Sequence, residues 1–245
     1  MKRDAGTEYI YGLNPAFELL LAGRRRVYRA CINKSSAGSA RMQKLIGLLE
    51  RTGIEPELLE KGRLFDLCRN HDHQGVVLAA SPYPYSSLDE MLQEPRILLL
   101  DNIEDVHNVG AILRSAEVFG YRAVCLPSRG TPGVYPSVVK ISAGASEHLL
   151  VANNRSANQY ARQAAEAGYK IVALDAKGET ELAAAAGLEL GKMMLVIGGE
   201  DKSVGQFILN MADHVIRIEQ RGRIGSLNAS VSAGIALHAL RIEKE

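Results

Sequence analysis

Apolar residues in the first eighty positions alternate between helical and extended spacing. Asn14 followed by Pro15 is typical of a helix start, and Gly23 is placed to end that helix after Ala22. Over residues 41–49, apolar side chains recur at i, i+3, i+4 and i+7, the stripe of an amphipathic helix. Strands are predicted at residues 27–32, 54–58 and 75–80. The pattern indicates a small α/β domain.

In the rest of the chain, short apolar strands alternate with helical stretches. The predicted strands cover residues 97–100, 123–126, 171–174, 194–197 and 214–218. Such alternation indicates a parallel sheet covered on both faces. Pro82 and Pro84 interrupt both helix and strand between the two parts. We therefore predict a domain at residues 1–80, a linker at 81–95 and a second α/β domain at 96–245.

The composition is that of a globular protein with an aliphatic core. Apolar residues make up 47% of the chain, which is enough for a full core, although it has four Phe and no Trp. No apolar run is long enough to cross a bilayer and the N-terminus has no signal-peptide pattern, so we expect a cytoplasmic protein. Cys31, Cys68 and Cys125 lie far apart without a CxxC pair. This favours reduced thiols and predicts no metal site.

Positive charge is concentrated near the N-terminus. Residues 1–50 contain nine Lys/Arg and four Asp/Glu, whereas the whole chain has a formal charge of +1. The cluster consists of Arg24, Arg25, Arg26 and Arg29. It suits contact with phosphates, or equally a solvated turn between helix and strand. His71 and His73 are spaced as two metal ligands, but without further partners they more often are surface or hydrogen-bonded histidines.

Polar residues follow three of the apolar strands, at the carboxyl edge where open α/β sheets bind ligands. The first such segment, residues 101–116, contains a strand end, a polar loop and a helix for which Asn108 is a natural N-cap. Arg114 lies ~140° around that helix from the apolar Val109 and faces away from the core. On spacing alone, an ordinary capped helix with a solvated arginine explains the segment equally well.

The second segment is a buried strand that leads into Gly198, Gly199 and Glu200, with Ser203 as a candidate N-cap for the next helix. Paired glycines let another molecule approach the backbone closely. The dinucleotide fingerprint G-x-G-x-x-G and the phosphate loop G-x-x-x-x-G-K-[ST] are both missing from the sequence. A nucleotide-dependent oxidoreductase is therefore disfavoured.

The third segment, residues 216–236, is a basic, glycine-rich loop followed by a helix. Ser226, Leu227 and Asn228 join the two, and Ser226 is a candidate cap. The helix has small or apolar residues nearly all round, which suits packing on several sides, including a subunit contact. A serine hydrolase is disfavoured because the second glycine of the G-x-S-x-G elbow is missing after Leu227.

Together, in order and spacing, the three segments resemble the signature motifs of the SpoU/TrmH family of RNA 2′-O-methyltransferases. Residues 101–116 match the first motif, residues 197–200 the second, and residues 226–228 with the following helix the third. Residues 10–15 and 73–75 are similar to the RNA-binding extension of the RlmB-like subgroup. The resemblance covers nearly the whole chain.

This resemblance implies a small N-terminal α/β RNA-binding domain and a C-terminal α/β domain whose parallel sheet contains a deep trefoil knot of the SPOUT type. It also implies S-adenosylmethionine as cofactor and a homodimer. By motif position, the cofactor would be held by the backbone around Gly198, Ile218 and Leu227. The implied catalytic cluster is Asn108, Arg114, Glu200, Ser226 and Asn228. Together with the basic cluster, the resemblance predicts RNA contacts at Arg24, Arg25, Arg26, His73 and Gln74.

The implied reaction transfers a methyl group to a ribose 2′-hydroxyl, in the main interpretation that of a guanosine in large-subunit (23S) ribosomal RNA. The sulfonium methyl is already electrophilic, so positioning and charge must make the weakly acidic hydroxyl reactive. We expect Arg114 to stabilise the developing alkoxide and Glu200 to orient Arg114. Asn108, Ser226 and Asn228 would orient the ribose.

Two alternatives remain open. Transfer RNA is an alternative substrate within the same reaction class. A non-catalytic RNA-binding or ribosome-assembly homologue is the alternative from another class. Residues 201–204 replace the family's usual glycine-rich turn, and Glu219 and Gln220 replace its usual Pro-Met, which keeps this alternative open. In each case the expected partner is RNA, and neither DNA nor a membrane.

Overall fold

The computed structural model of the chain describes residues 6–199 and 202–241. The chain forms two compact units. The first unit comprises the chain up to Pro84 together with Val134–His148, and the second unit comprises Tyr85–Gly133 and the chain from Leu149 onward. The boundary at Pro84 falls inside the predicted linker. Residues 134–148 return to the first unit, which the prediction of two domains joined by a single linker did not include.

Helices and strands alternate along both units. The strands are β1 (Glu8–Tyr11), β2 (Val27–Asn33), β3 (Glu57–Leu59), β4 (Val76–Ala80), β5 (Arg96–Asp101), β6 (Ala123–Cys125), β7 (Leu150–Ala152), β8 (Lys170–Leu174), β9 (Thr180–Glu181), β10 (Met193–Gly198) and β11 (His214–Arg217). The helices are α1 (Leu13–Ala22), α2 (Ala40–Arg51), α3 (Lys61–Cys68), α4 (Leu88–Met91), α5 (Val106–Val118), α6 (Pro136–Ile141), α7 (Ala157–Glu166), α8 (Leu182–Ala185), α9 (Gln206–Met211) and α10 (Ala229–Ala239).

The first unit is built on a four-stranded sheet in the order β1-β4-β2-β3. β4 pairs antiparallel with β1 and β2, whereas β2 and β3 are parallel. Helix α2 is the predicted amphipathic helix, and Ser39 caps it by accepting from the backbone N–H of Met42. Helix α1 begins at Leu13 after Gly12, so the predicted N-cap at Asn14 is wrong by two residues. Pro15 is tolerated there because N–H groups in the first turn need no intrahelical partner.

The second unit contains a seven-stranded sheet in the order β7-β6-β5-β10-β8-β11-β9, and every pairing in it is parallel. The predicted parallel α/β architecture is thus confirmed, and the five predicted strands correspond to β5, β6, β8, β10 and β11. The short strands β7 and β9 were not predicted. Helix α4 lies inside the predicted linker, where a capping box between Ser87 and Glu90 begins it and Leu88 and Met91 are buried.

A buried ion network fixes the middle of the first unit. The Arg25 side chain is 0% exposed, and its Nη2 lies 2.5 Å from Glu8 Oε2 while its Nη1 lies 3.2 Å from Glu147 Oε1. Its Nε also donates to the carbonyl of Ser81. Arg24 donates to the carbonyls of Glu147 and Pro84. These burials contradict the predicted RNA contact at Arg25 and tie Arg24 to the protein.

Among the described residues, no helix is long and apolar enough to span a bilayer. Within the same residues, no group of three or more His, Cys, Asp or Glu side chains is placed to hold a metal ion. Cys31 and Cys125 are buried free thiols, and Cys68 is half-buried.

The Arg25 network leads to a prediction about stability. The substitution Arg25→Ala leaves the buried Glu147 carboxylate without its counter-ion, which we expect to lower the free energy of unfolding by about 3–5 kcal/mol at pH 7.5. Burial raises the pKa of Glu147 even with Arg25 in place. A carboxyl with a raised folded pKa favours the folded state at low pH, and this contribution is lost as pH rises through that pKa. The loss should therefore be smaller at pH 5, as measured by urea unfolding.

The matched control is Arg26→Ala, because Arg26 is exposed and adjacent in sequence. It should change the unfolding free energy by less than about 0.5 kcal/mol. Equal stability of the Arg25→Ala and Arg26→Ala proteins would show that the network contributes nothing.

Candidate functional site

The site forms where four neighbouring strands end. β5, β10, β8 and β11 are adjacent and parallel, so their carboxyl ends lie at one edge of the sheet. Gly198 at the end of β10 pairs in register with Asp101 at the end of β5. The loops that leave these strands surround two adjoining cavities.

The first cavity has about 620 Å³ of empty space that is continuous with solvent. Gly198, Ile218 and Leu227, the three residues predicted to hold a cofactor, all line it. Polar side chains reach its wall from three loops: those of Asp175, Ser203, Gln220 and Ser226.

The second cavity, of about 690 Å³, lies beside the first. The two share Gly199 and Ala229 as wall residues. The second cavity is more strongly charged, because Glu104, Asp105 and Lys202 line it together with Asn108. Lys202 Nζ lies 3.2 Å from Glu104 Oε1.

Two of the predicted catalytic residues are in direct contact. Asn228 Nδ2 donates to Asn108 Oδ1 at 3.0 Å. Asn228 also caps α10, because its Oδ1 accepts from the N–H groups of Ser230 and Val231. The cap fixes the Asn228 side chain, which in turn positions Asn108 across from it.

The helix caps differ from those predicted. Asp105 caps α5 by accepting from the backbone N–H of His107 at 2.8 Å, so the prediction of Asn108 as the N-cap is wrong. Gly205 precedes α9, and Asn228 caps α10. The capping interpretations of Ser203 and Ser226 are therefore wrong, and both serines lie on the wall of the first cavity.

The paired glycines have a clear structural cause. A Cβ atom on Gly199 would lie 2.1 Å from the carbonyl oxygen of Asn102, and one on Gly198 would lie 2.3 Å from the backbone nitrogen of Val204. The group that approaches each glycine closely is therefore the chain's own backbone. The absence of a side chain at Gly199 lets the loops after β5 and β10 meet beside the cavities, and its absence at Gly198 lets the loop after β10 fold back against the end of its own strand.

Asp101 holds these loops together, and sequence reasoning did not single it out. Its carboxylate accepts from the backbone N–H of Gly205 at 2.8 Å and from Asn102 Nδ2 at 3.1 Å. Burial raises the pKa of Asp101, and the bond from Gly205 opposes that rise. A charged residue directly after a strand of four apolar residues was the available signal.

The two other predicted catalytic residues of the first and second motifs are Arg114 and Glu200. Arg114 is exposed on α5, as predicted, six residues beyond Asn108 and thus ~9 Å farther along the helix axis. Glu200 lies outside the described residues. The ion pair between Arg114 and Glu200 stays a prediction.

Two predicted RNA contacts of the first unit differ from each other in exposure. His73 is only 2% exposed, and its Nδ1 accepts from the backbone N–H of Gly75. Burial, with smaller contributions from nearby charges, lowers its pKa. This burial contradicts an RNA contact by His73. Gln74 is exposed in a left-handed conformation, and its Oε1 accepts from the N–H of Leu13 at 3.0 Å.

Helices α5 and α10 pack side by side. Beyond the asparagine contact, a Cβ on Gly234 would lie 3.8 Å from Ser115 Oγ, and the rings of Phe119 and His238 meet edge to face at 5.3 Å. Contacting partners advance together along both helices, so α5 and α10 run parallel.

An apolar strip lies beside this helix pair. Val118, Val231 and Ile235 are 65%, 49% and 40% exposed. The contact line of each helix is the side that faces the other helix. At ~100° per residue, Val118 lies ~80° to one rotational side of the contact line of α5, and Ile235 lies ~80° to the opposite rotational side of the contact line of α10. In a parallel pair these two directions point to the same surface. Arg114 lies ~120° around α5 in the same direction as Val118. The strip of Val118, Val231 and Ile235 is thus bordered by Arg114.

Sequence models of two families match this chain. A model described as the SpoU rRNA Methylase family matches residues 95–238. A model described as RNA 2′-O ribose methyltransferase substrate binding matches residues 9–86.

Individual relatives and solved structures are similar to this chain over most of its length. YacO of Bacillus subtilis, provisionally assigned to the TrmH family of tRNA/rRNA methyltransferases, is 30% identical over 238 residues, covering 94% of each chain. An uncharacterized tRNA/rRNA methyltransferase of Mycolicibacterium gilvum is 32% identical over 245 residues, covering 96% of this chain and 76% of the relative. AviRb of Streptomyces viridochromogenes, a SpoU methyltransferase solved with AdoMet, has a TM-score of 0.78 at 21% identity, covering 96% of this chain and 89% of AviRb. The last similarity concerns the fold.

The glycine geometry can be tested. Gly199→Ala places a Cβ against the Asn102 carbonyl, so one loop must move, and we expect the unfolding free energy to fall by about 1–3 kcal/mol. Gly187→Ala is the control, because a Cβ there meets only ordinary contact distances. Chemical denaturation of both proteins measures the difference, and equal stabilities would contradict the proposed close approach.

Proposed function

The chain belongs to the SpoU family of RNA methyltransferases, and from this premise we propose that it transfers the methyl group of S-adenosylmethionine to a ribose 2′-hydroxyl of RNA. The observation that carries the proposal is the pair of adjoining cavities. One is lined by the three residues expected at the cofactor, and the other contains the Asn108 side of the asparagine contact. A cofactor and a nucleotide in these cavities would meet near Gly199 and Ala229.

The residues that line the first cavity fit S-adenosylmethionine in their chemistry. Leu174, Ile197 and Leu227 supply apolar surface for an adenine ring, and backbone groups around Gly198 and Ile218 are within its wall. The Asp175 carboxylate is also on the wall and suits a ribose hydroxyl or a cationic group of the cofactor. The bound cofactor would supply an electrophilic methyl group.

The second cavity would receive the target ribose. Asn108 and Asn228 can orient hydroxyl groups, because a side-chain amide both donates and accepts. The guanidinium of Arg114 is a cation with five N–H donors and no acceptor, so its proposed role is to stabilise negative charge that develops on the ribose oxygen. Ser226 lines the first cavity and would act from the cofactor side. Glu200 would orient Arg114.

Within this reaction we propose a guanosine of large-subunit (23S) ribosomal RNA as the target. Support comes from the rRNA methylase family description and from the resemblance of residues 10–15 and 73–75 to the RNA-binding extension of the RlmB-like subgroup. Transfer RNA is the second candidate, because the relatives are named as tRNA/rRNA methyltransferases. The contact between Asn108 and Asn228 argues against a non-catalytic homologue. A cytoplasmic location suits either RNA.

We also propose a trefoil knot and a homodimer. Close backbone passages support the knot: a Cβ on Gly178 would lie 2.5 Å from the carbonyl carbon of Ile216, in addition to the passages at Gly198 and Gly199. The apolar strip of Val118, Val231 and Ile235 supports the dimer, because a second copy would remove it from water. Arg114 would then lie at the border of the interface.

The catalytic proposal predicts the effect of Arg114→Ala. Loss of the cation should lower methyl transfer by about 10²–10³-fold, because one stabilising group for the developing charge is removed. The assay uses methyl-labelled S-adenosylmethionine with unmodified ribosomal and transfer RNA, followed by mapping of alkali-resistant ribose methylation. The labelled RNA identifies the substrate class.

Arg122→Ala is the matched control, since Arg122 is an exposed arginine of the same unit. It should keep the parental rate. An Arg114→Ala protein that folds, binds cofactor and methylates at the parental rate would refute the role of Arg114. Absence of label in every RNA, despite RNA binding, would favour the non-catalytic alternative.

The dimer proposal predicts that Ile235→Asp produces a monomer. A carboxylate on the apolar strip would be buried without a partner in the interface. Light scattering should show the mass falling from twice 26.6 kDa to 26.6 kDa, with a parallel loss of methyl transfer. Leu188→Asp, at an exposed leucine outside the strip, should remain dimeric. A monomeric parent protein would refute the proposal.

A further inference from the structure

The two histidines of the first unit have opposite environments. His73 is buried, whereas His71 is exposed and its ring stacks on Phe65, with centroids 4.3 Å apart and planes 17° from parallel. Phe65 supports one face of the imidazole. An exposed ring held in this way can accept a further flat group at little cost in side-chain entropy.

Two cations share the helical spacing of Phe65. Lys61 and Arg69 stand four residues before and after Phe65, at the spacing that puts side chains on one face of a helix and its C-cap. Both are exposed. We call Lys61, Phe65, Arg69 and His71 the His71 platform.

The nearby carboxylates leave this charge largely available. Asp66 lies 3.9 Å from both Arg63 and Arg69, so one carboxylate is shared by two guanidinium groups at long distance. Asp72 lies 3.2 Å from Lys140 Nζ, whose stem crosses Gly12. Within the described residues no ion pair of Lys61 is found. A flat ring between cations is the arrangement with which proteins bind unpaired nucleotides.

We propose that the His71 platform binds an unpaired nucleotide of the RNA substrate, with the base stacked on His71 and neighbouring phosphates near Lys61 and Arg69. This inference rests on the proposed function and replaces His73 with His71 as the histidine that contacts RNA. Stacking tolerates any base, because each base has a π-face. The platform therefore selects single-stranded loops over duplex RNA, and it leaves sequence selection to other contacts.

The test uses the full-length protein and two labelled RNAs, a hairpin with a seven-nucleotide loop and a duplex with the same stem sequence. The Kd of each is measured by fluorescence anisotropy. His71→Ala should raise the hairpin Kd about tenfold and leave the duplex Kd unchanged, because one stacked base is lost. His71→Phe should keep the parental hairpin affinity within about twofold, because the ring is retained.

His148→Ala is the matched control, since it removes another partly exposed histidine of the same unit and breaks only a surface pair with Glu18. It should leave both affinities unchanged. A hairpin Kd for His71→Ala within twofold of the parent, or equal losses in His71→Ala and His71→Phe, would overturn the inference. Methyl transfer by the parent protein, measured in parallel, separates that result from failure of the proposed function. Absence of both RNA binding and methyl transfer in the parent would overturn both.

Discussion

At the carboxyl edge of the seven-stranded sheet, the backbone passes so close to itself that positions 198 and 199 have no room for a side chain. This close passage brings the loop after β10 against Asn102 and permits the Asp101 carboxylate to accept from Gly205. Both cavities use Gly199 as a wall. Gly198 and Gly199 therefore contribute to the site by letting the loops pass close to the backbone. These loops form the walls of both cavities at one edge of the sheet.

The architecture of the second unit could be predicted because its signal is local. A short apolar strand followed by a helix has a recognisable period, and five of the seven strands carried it. β7 and β9 have three and two residues, too few for any period to be visible. The helix caps were harder to predict, because Asp105 and Asn108 are both good N-caps and the local sequence does not decide between them. The selection of Asp105 directs Asn108 toward Asn228, a contact across 120 positions.

The charged residues of the first unit could not be interpreted from the sequence alone, because their surroundings depend on distant parts of the chain. The run of three arginines resembles a phosphate-binding patch, yet Arg25 is buried and donates to the carboxylate of Glu147, 122 positions away. That carboxylate belongs to the segment Val134–His148, which returns to the first unit after an excursion into the second. Nothing in the sequence of residues 24–26 predicts that Glu147 lies beside them. His71 and His73 present the same difficulty, because the burial of one and the exposure of the other depend on Gly75 and Phe65.

Helix α5 connects the proposed chemistry to the proposed assembly. One face carries Asn108 toward Asn228, and the contact is possible because α10 runs parallel to α5 and begins beside it. The adjacent face carries Val118 and Arg114 outward, next to the exposed residues of α10. The residue proposed to orient the ribose and the residue proposed to stabilise its charge are thus on one helix, ~9 Å apart along its axis. Water screens the charge of an exposed arginine and weakens its Coulomb interactions. A second copy that covers the strip would exclude water from part of the surroundings of Arg114 and would strengthen its interaction with the developing negative charge. Assembly would then contribute to reactivity as well as to stability.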